Sequence, residues 1–406
     1  MTGAPWWWLI AALYGLSALR HHSGLFLFTL ILTLAALASA LWARYALAEL
    51  SYTRHLGTKR LSFGEETDLT VDIYNAKPLP LPWLLINDQF PDGLTLVTGQ
   101  LGLSRSASFK HALVNFLALR WYERVRRTYR IRGDNRGVYQ FGPVEIYAGD
   151  IFGFRRQHVT LDHRDTVIVY PKVVPVEALG LPAGRPIGDL AYSRRLIEDP
   201  LRYLGVREYA QGDSIKYVHW KATARTRQLQ VRTFDPSASH NLMLMIDVQT
   251  SERPYSIVPD YMELLASAAA SLAAEGLERG YSVGLVANAN EVGVSELLYV
   301  PSGRHPNQLM VLLEALARLM NFRLVPFARL LTSVGPQLPY GATVVALSSQ
   351  ADEGVQEALL RLQDAGHPVV LLTVGDEAPT IALPVEWYHL GGLDVWENLE
   401  RLELAR

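Results

Sequence analysis

The chain has no cysteine. Disulfide bonds and thiolate metal sites are therefore excluded, although a cysteine-free chain can work in any compartment. It also lacks a surplus of either charge: 38 Lys and Arg stand against 40 Asp and Glu, a formal net charge of −2. A dedicated nucleic-acid binder normally carries a basic excess, so no nucleic-acid partner is expected. No internal repeat or low-complexity tract is visible. No nucleophile sits with a base, and no pair of acids is evident, so no enzymatic activity is expected. His219, beside Trp220, reads as a packed or hydrogen-bonded histidine rather than a catalyst.

Charge is missing most conspicuously at the N-terminus. No side chain from Met1 to Leu19 is charged, and Trp6, Trp7 and Trp8 open the apolar part. Arg20, His21, His22, Ser23 and Gly24 interrupt it, and a second uncharged stretch runs from Leu25 to Ala43, closed by Trp42, Arg44 and Tyr45. About 20 apolar residues span a bilayer as a helix, and tryptophan favours its interface. The expectation is a transmembrane helical hairpin over residues 1–45, which would account for the slightly positive mean hydropathy of +0.08. A cleavable signal peptide fits less well, because the positive charge follows the first apolar segment. Arg44, Arg54, Lys59 and Arg60 follow the second segment, which places the soluble part in the cytoplasm by the positive-inside rule. That part is expected to begin near Ser51, on a multi-pass protein of the inner (cytoplasmic) membrane.

The rest of the 406 residues has room for more than one core. From 58 to 172 the grammar is that of short strands and turns. Thr67 to Tyr74 alternates apolar and polar, Lys77 to Pro82 is a Pro-rich break, and Pro91-Asp92-Gly93 is a turn signal. This reads as an all-β, Ig-like sandwich. The basic, aromatic-studded run Arg120 to Arg136 has two readings: contact with nucleic acid or anionic lipid, or the solvated faces of strands, which the balanced net charge favours. Residues 173–240 read as a linker. From 241 to 390 apolar strands (Leu242 to Asp247, Tyr281 to Ala287, Ala342 to Leu347, Pro368 to Val374) alternate with helical stretches, which specifies a doubly wound α/β domain. A C-terminal helix is expected over 391–406.

In such sheets ligands bind at the carboxyl ends of strands. The first strand ends Asp247-Val248-Gln249-Thr250-Ser251. This resembles the metal-ion-dependent adhesion motif of von Willebrand factor A domains, Asp-x-Ser-x-Ser, in which an Asp and hydroxyls hold a divalent cation, usually magnesium. The resemblance names Asp247 and Ser251 as ligands. Gln249 stands in the first Ser position, and Ser348-Ser349 stands where a second Asp is expected, with Asp352 further along. Losing one carboxylate and one hydroxyl should weaken a Mg²⁺ site severely, and the bland reading is that Asp247 and Ser251 cap the local backbone.

The most specific stretch lies upstream, from Arg207 to Arg225: Arg-Glu-Tyr-Ala-Gln-Gly-Asp-Ser-Ile-Lys-Tyr-Val-His-Trp-Lys-Ala-Thr-Ala-Arg. Together with Arg136-Gly137 to Gly142-Pro143, Asp150-Ile151-Phe152-Gly153 and the paired N-terminal apolar segments, it resembles the bacterial family called domain of unknown function 58. The residues carrying the signature are Arg207, Glu208, Tyr209, Gly212, Asp213, Trp220, Lys221, Thr223 and Arg225. Asp213 is placed to cap a short helix from Ser214, and Trp220 to act as a large apolar anchor. Either these residues lock the linker onto the A-like domain, or they form a partner-docking surface. The resemblance implies a membrane-anchored, non-enzymatic assembly factor working beside a MoxR-type AAA+ ATPase. The alternative is a metal-dependent ligand-binding receptor built on Asp247 and Ser251.

Overall fold

A computed structural model describes residues 4–20, 23–103, 110–151, 155–177, 203–210, 218–234, 241–251, 253, 257–339, 341–379 and 385–403. The chain divides into two compact units, Met1–Val169 and Tyr170–Arg406.

The first unit opens with helices Ala4–Arg20 and Ser23–Ala46. They pack on each other through a 3.2 Å hydrogen bond between Thr33 Oγ1 and Tyr14 Oη and an edge-on contact of Tyr14 with Phe26. The hydroxyls of Thr29 and Thr33 donate to carbonyls one turn back, which satisfies these two groups within the helix. At 24 residues that helix is long and apolar enough to cross a membrane.

Two antiparallel sheets follow. One orders the strands Leu50–Leu56, Glu66–Asn75, Arg124–Gly133 and Leu94–Leu96. The other orders Arg156–Leu161, Val144–Gly149, Leu81–Phe90, His111–Leu119 and Leu101–Leu103. Alternation sends Leu69, Val71 and Ile73 of one sheet, and Leu113, Leu117 and Leu119 of the other, into a single core that also takes in Ala46. Much of the basic run resolves into ion pairs, all but the last of them cross-strand. Arg124 and Arg126 grip Asp72 at 2.8 and 3.0 Å, Arg130 faces Glu66 and Arg132 holds Asp134. The Arg124 hydrogen bond leads in holding the Asp72 carboxyl below its ordinary value, against the cost of its burial.

The second unit is built on a six-stranded sheet in the order Leu297–Gly303, Ser282–Asn290, Asn241–Ile246, Thr343–Ser348, Val369–Thr373 and Glu386–His389. Every neighbouring pair is parallel except the first. The central strand shows why both faces are covered. Leu242, Leu244 and Ile246 point into a core shared with Met262, Leu265 and Ala269 of helix Pro259–Glu278. Met243 and Met245 point into a second core with Leu330, Leu331 and Leu359, from helices Phe327–Val334 and Glu353–Asp364. A strand buried on both faces reads as one apolar run, which is how it stands in the sequence.

The C-terminus departs from expectation. Instead of a helix over 391–406, a short helix Leu393–Glu397 is followed by Leu402–Glu403, which pairs in parallel with Val176–Glu177. Leu399 and Leu402 are still buried in the core, brought there by a turn and the paired strand rather than by a continued helix.

Candidate functional site

Asp247 follows the central strand at its carboxyl end, 3% exposed. Its Oδ1 accepts from the Gln249 amide at 3.0 Å and from Asn288 Nδ2 at 2.7 Å; its Oδ2 accepts from Ser348 Oγ at 2.8 Å. Asn288 in turn uses its Oδ1 to accept from the Val248 amide at 2.9 Å. Three adjacent strands thus close on one carboxylate. Burial raises the Asp247 pKa, and the three donors, with the charge of Arg323, offset only part of that.

The neighbouring groups are similarly engaged. Gln249 Nε2 donates to the carbonyls of Ser251 and Arg253 at 2.6 and 3.0 Å, and its own carbonyl accepts from Ser349 Oγ at 2.9 Å. Thr250 exchanges hydrogen bonds with both backbone groups of Val258, pinning the start of the long helix. Ser251 Oγ accepts from the Arg253 amide at 3.3 Å. Asp352 caps helix Glu353–Asp364 by accepting from the Val355 amide at 2.7 Å. The remaining parallel strands end on Thr373 and His389, whose Oγ1 and Nδ1 lie 3.0 Å apart; burial lowers the His389 pKa. A divalent cation wants lone pairs from oxygens with no hydrogens of their own pointed at it. Here two amides and a hydroxyl are aimed at Asp247 instead. Among the described residues no group of three His, Cys, Asp or Glu side chains gathers to hold a metal. Asn288, contributed from 41 residues away, went unnoticed in the sequence, as did Ser348 as a donor; no local spacing marks either.

The signature stretch forms a strand–helix–strand. Strands Tyr203–Glu208 and Gln230–Phe234 pair antiparallel, and Val218 bridges to Val231. Helix Trp220–Thr226 sits between them, capped at its N-terminus by His219, whose Nδ1 accepts from the Ala222 amide at 3.0 Å. Arg227 closes it in a left-handed conformation. Thr223 ties helix to strand, its Oγ1 accepting from the Gln230 amide at 3.0 Å. Gly212, Asp213 and Ser214 lie outside the described residues.

Trp220 corrects the expectation of a buried anchor: it is 67% exposed. It stands at the first position of a seven-residue helix, while Val218 and Val231, which bridge each other, are buried. Lys221 and Arg225 are exposed on the same helix, and Glu208, Tyr209 and Leu229 are exposed at the ends of the two strands. Arg207, also exposed, donates to the Glu208 carbonyl at 3.1 Å. The structure therefore brings Trp220, Lys221, Thr223 and Arg225 together on one helix, with Arg207 to Tyr209 on the strand paired beside it.

Residues 205–390 match the family described as "Protein of unknown function DUF58". The chain is 27% identical over 267 residues to the uncharacterized protein YeaD of Bacillus subtilis (strain 168), covering 64% of this chain and 61% of that relative's length. Among solved structures, the CARDB domain of a Pyrococcus furiosus protein aligns with 10% identity, 30% of this chain, 91% of that chain and a TM-score of 0.20. Escherichia coli alpha-2-macroglobulin aligns with 17% identity, 34% of this chain, 9% of that chain and a TM-score of 0.21. Likenesses so slight establish no common fold.

Proposed function

Since the chain belongs to the DUF58 family, we propose that it is a membrane-anchored, non-enzymatic assembly factor whose partner is a MoxR-type AAA+ ATPase. The two N-terminal helices act as a transmembrane hairpin, the soluble units face the cytoplasm, and the second unit is a von Willebrand factor A-like domain with a disused adhesion site. The observation that carries the docking reading is the exposure of Trp220, with Lys221 and Arg225 exposed on the same short helix. Exposed tryptophan beside arginine is the composition of binding hot spots. The closed network around Asp247 supports the choice of assembly factor over metal-dependent receptor, because binding a cation there would first require breaking bonds from Asn288 and Ser348.

Binding of the purified full-length protein in detergent to a purified MoxR-type ATPase tests this. The wild type should bind, and a double charge reversal, Lys221→Glu with Arg225→Glu, should weaken binding at least about tenfold, roughly 1.4 kcal/mol, at an unchanged melting temperature. Undiminished binding by the reversed protein would remove the docking face from the reading.

A further inference from the structure

We propose that the end of the β-sheet unit nearest the second apolar helix is a lipid-facing surface that rests in the anionic headgroup layer. The inference rests on the membrane-anchor reading.

The placement follows from strand register alone. Helix Ser23–Ala46 hands over directly to the strand Leu50–Leu56, and Leu50 pairs with Asn75. The backbone just after the helix is tied to the next turn: the Ala76 amide donates to the Glu49 carbonyl, and Lys77 Nζ to the Ala48 carbonyl at 2.6 Å. That turn is tied to the one over 120–123: the Asn75 amide donates to the Glu123 carbonyl, the Tyr122 amide to the Lys77 carbonyl and Asn75 Nδ2 to the Arg120 carbonyl. In the other sheet Leu81 pairs with Leu119 and Leu84 with Ala148, so the turn after Gly149 lies at this same end. The helix itself packs against both strands of that hairpin, Val144–Gly149 and Arg156–Leu161.

What these turns present is unusual for a soluble end. Trp121 is 67% exposed, Tyr122 59% and Ile151 59%. Tyr122 is held at φ 52°, a left-handed backbone that a bulky residue adopts only at a cost. Arg44, Arg120 and Arg156 are exposed around them, with Arg156 stacked over Trp83 at 5.8 Å; the acids at this end are Glu49, Glu123 and the buried Asp150. Trp and Tyr prefer the membrane interface, and arginine beside them favours anionic lipid. An apolar helix emerging at the same end supplies the bilayer. Among the described residues no such helix emerges at the opposite end, where Leu103 pairs with His111.

The absence of cysteine makes the test direct. Single substitutions Leu34→Cys, Tyr122→Cys, Ile151→Cys and Leu103→Cys in the full-length protein are labelled with an environment-sensitive fluorophore. Each is reconstituted into phosphatidylcholine vesicles with and without phosphatidylglycerol, and probed with nitroxide-bearing lipids. The expected result is deep quenching at 34, headgroup-level quenching at 122 and 151 that strengthens with phosphatidylglycerol, and none at 103. Quenching at 34 with none at 122 and 151 overturns this inference and leaves the anchor standing. Quenching at 122 and 151 that ignores phosphatidylglycerol overturns the anionic preference. A label at 34 that remains aqueous overturns the anchor, and the inference with it.

Discussion

Asp247 and its donors separate the two uses that a carboxylate at a strand end can have. A ligand position would suffer equally from Asn or Ala, because neither supplies an anionic oxygen. A structural acceptor behaves differently. Asn keeps an oxygen for the Gln249 amide and Asn288, and its amide can donate to Ser348 Oγ, which also lies 2.9 Å from the Gln350 carbonyl. Ala leaves buried donors without an acceptor, at about 1–3 kcal/mol. Asp247→Ala is therefore expected to melt well below the wild type, and Asp247→Asn close to it. The sign of the pH dependence adds a second check. Burial raises the Asp247 pKa in the folded chain above its unfolded value. Its contribution to stability is full below the unfolded pKa and is lost as pH rises through the folded one. Melting temperature measured upward from about pH 3.5 should thus shift in favour of Asp247→Asn relative to wild type. A melting temperature of Asp247→Asn that falls relative to wild type as pH rises would contradict the burial account.

At the scale of elements, the strand–helix–strand around Trp220 is held by backbone pairing and Thr223 rather than by its tryptophan. Trp220→Ala should leave the melting temperature nearly unchanged while weakening partner capture. Thr223→Val should cost about 0.5–1.5 kcal/mol by leaving the Gln230 amide unpaired, read as a lower melting temperature. The sequence exposes the identity of this element and hides its orientation. Arg207 to Arg225 is recognisable residue by residue, yet whether an aromatic at the first turn of a short helix faces in or out depends on what packs there, which no local spacing encodes. The same contrast holds elsewhere. Leu242 to Asp247 announces a doubly buried strand, because unbroken apolarity has few other meanings, and Thr67 to Tyr74 announces a half-buried one. The partners of Asp247 come from two other strands and could be found only by folding the chain. The C-terminus misled because Leu393, Val395 and Trp396 start a helical pattern that Leu399 and Leu402 continue by another route into the core.

At the scale of the whole molecule, both units are closed around their own cores, but the first does not begin where its charge pattern suggests. A fragment starting at Tyr170 retains both cores that flank the six-stranded sheet, including Val174. It is expected to fold and melt cooperatively by itself. A fragment starting at Ser51, the boundary that the apolar segments alone recommend, removes Ala46, Leu47 and Leu50 from the sheet core. It also removes the Ala48 and Glu49 carbonyls that receive Lys77 Nζ and the Ala76 amide. Lys77 is buried, and desolvation already lowers its pKa, so losing its acceptor leaves an ammonium that is costly to keep charged. The combined loss is on the order of 2–5 kcal/mol. That is a large fraction of the stability of an ordinary domain. Calorimetry of residues 51–406 should then show the transition of the 170–406 fragment unchanged, and a second transition belonging to the β-sheet unit. Extending the fragment back to Leu41, which restores the last turn of the helix, should raise only that second transition. If 51–406 and 41–406 melt alike, the helix end is not part of the β-sheet core, and the two tied turns that place Trp121 and Tyr122 beside the end of that helix lose their foundation.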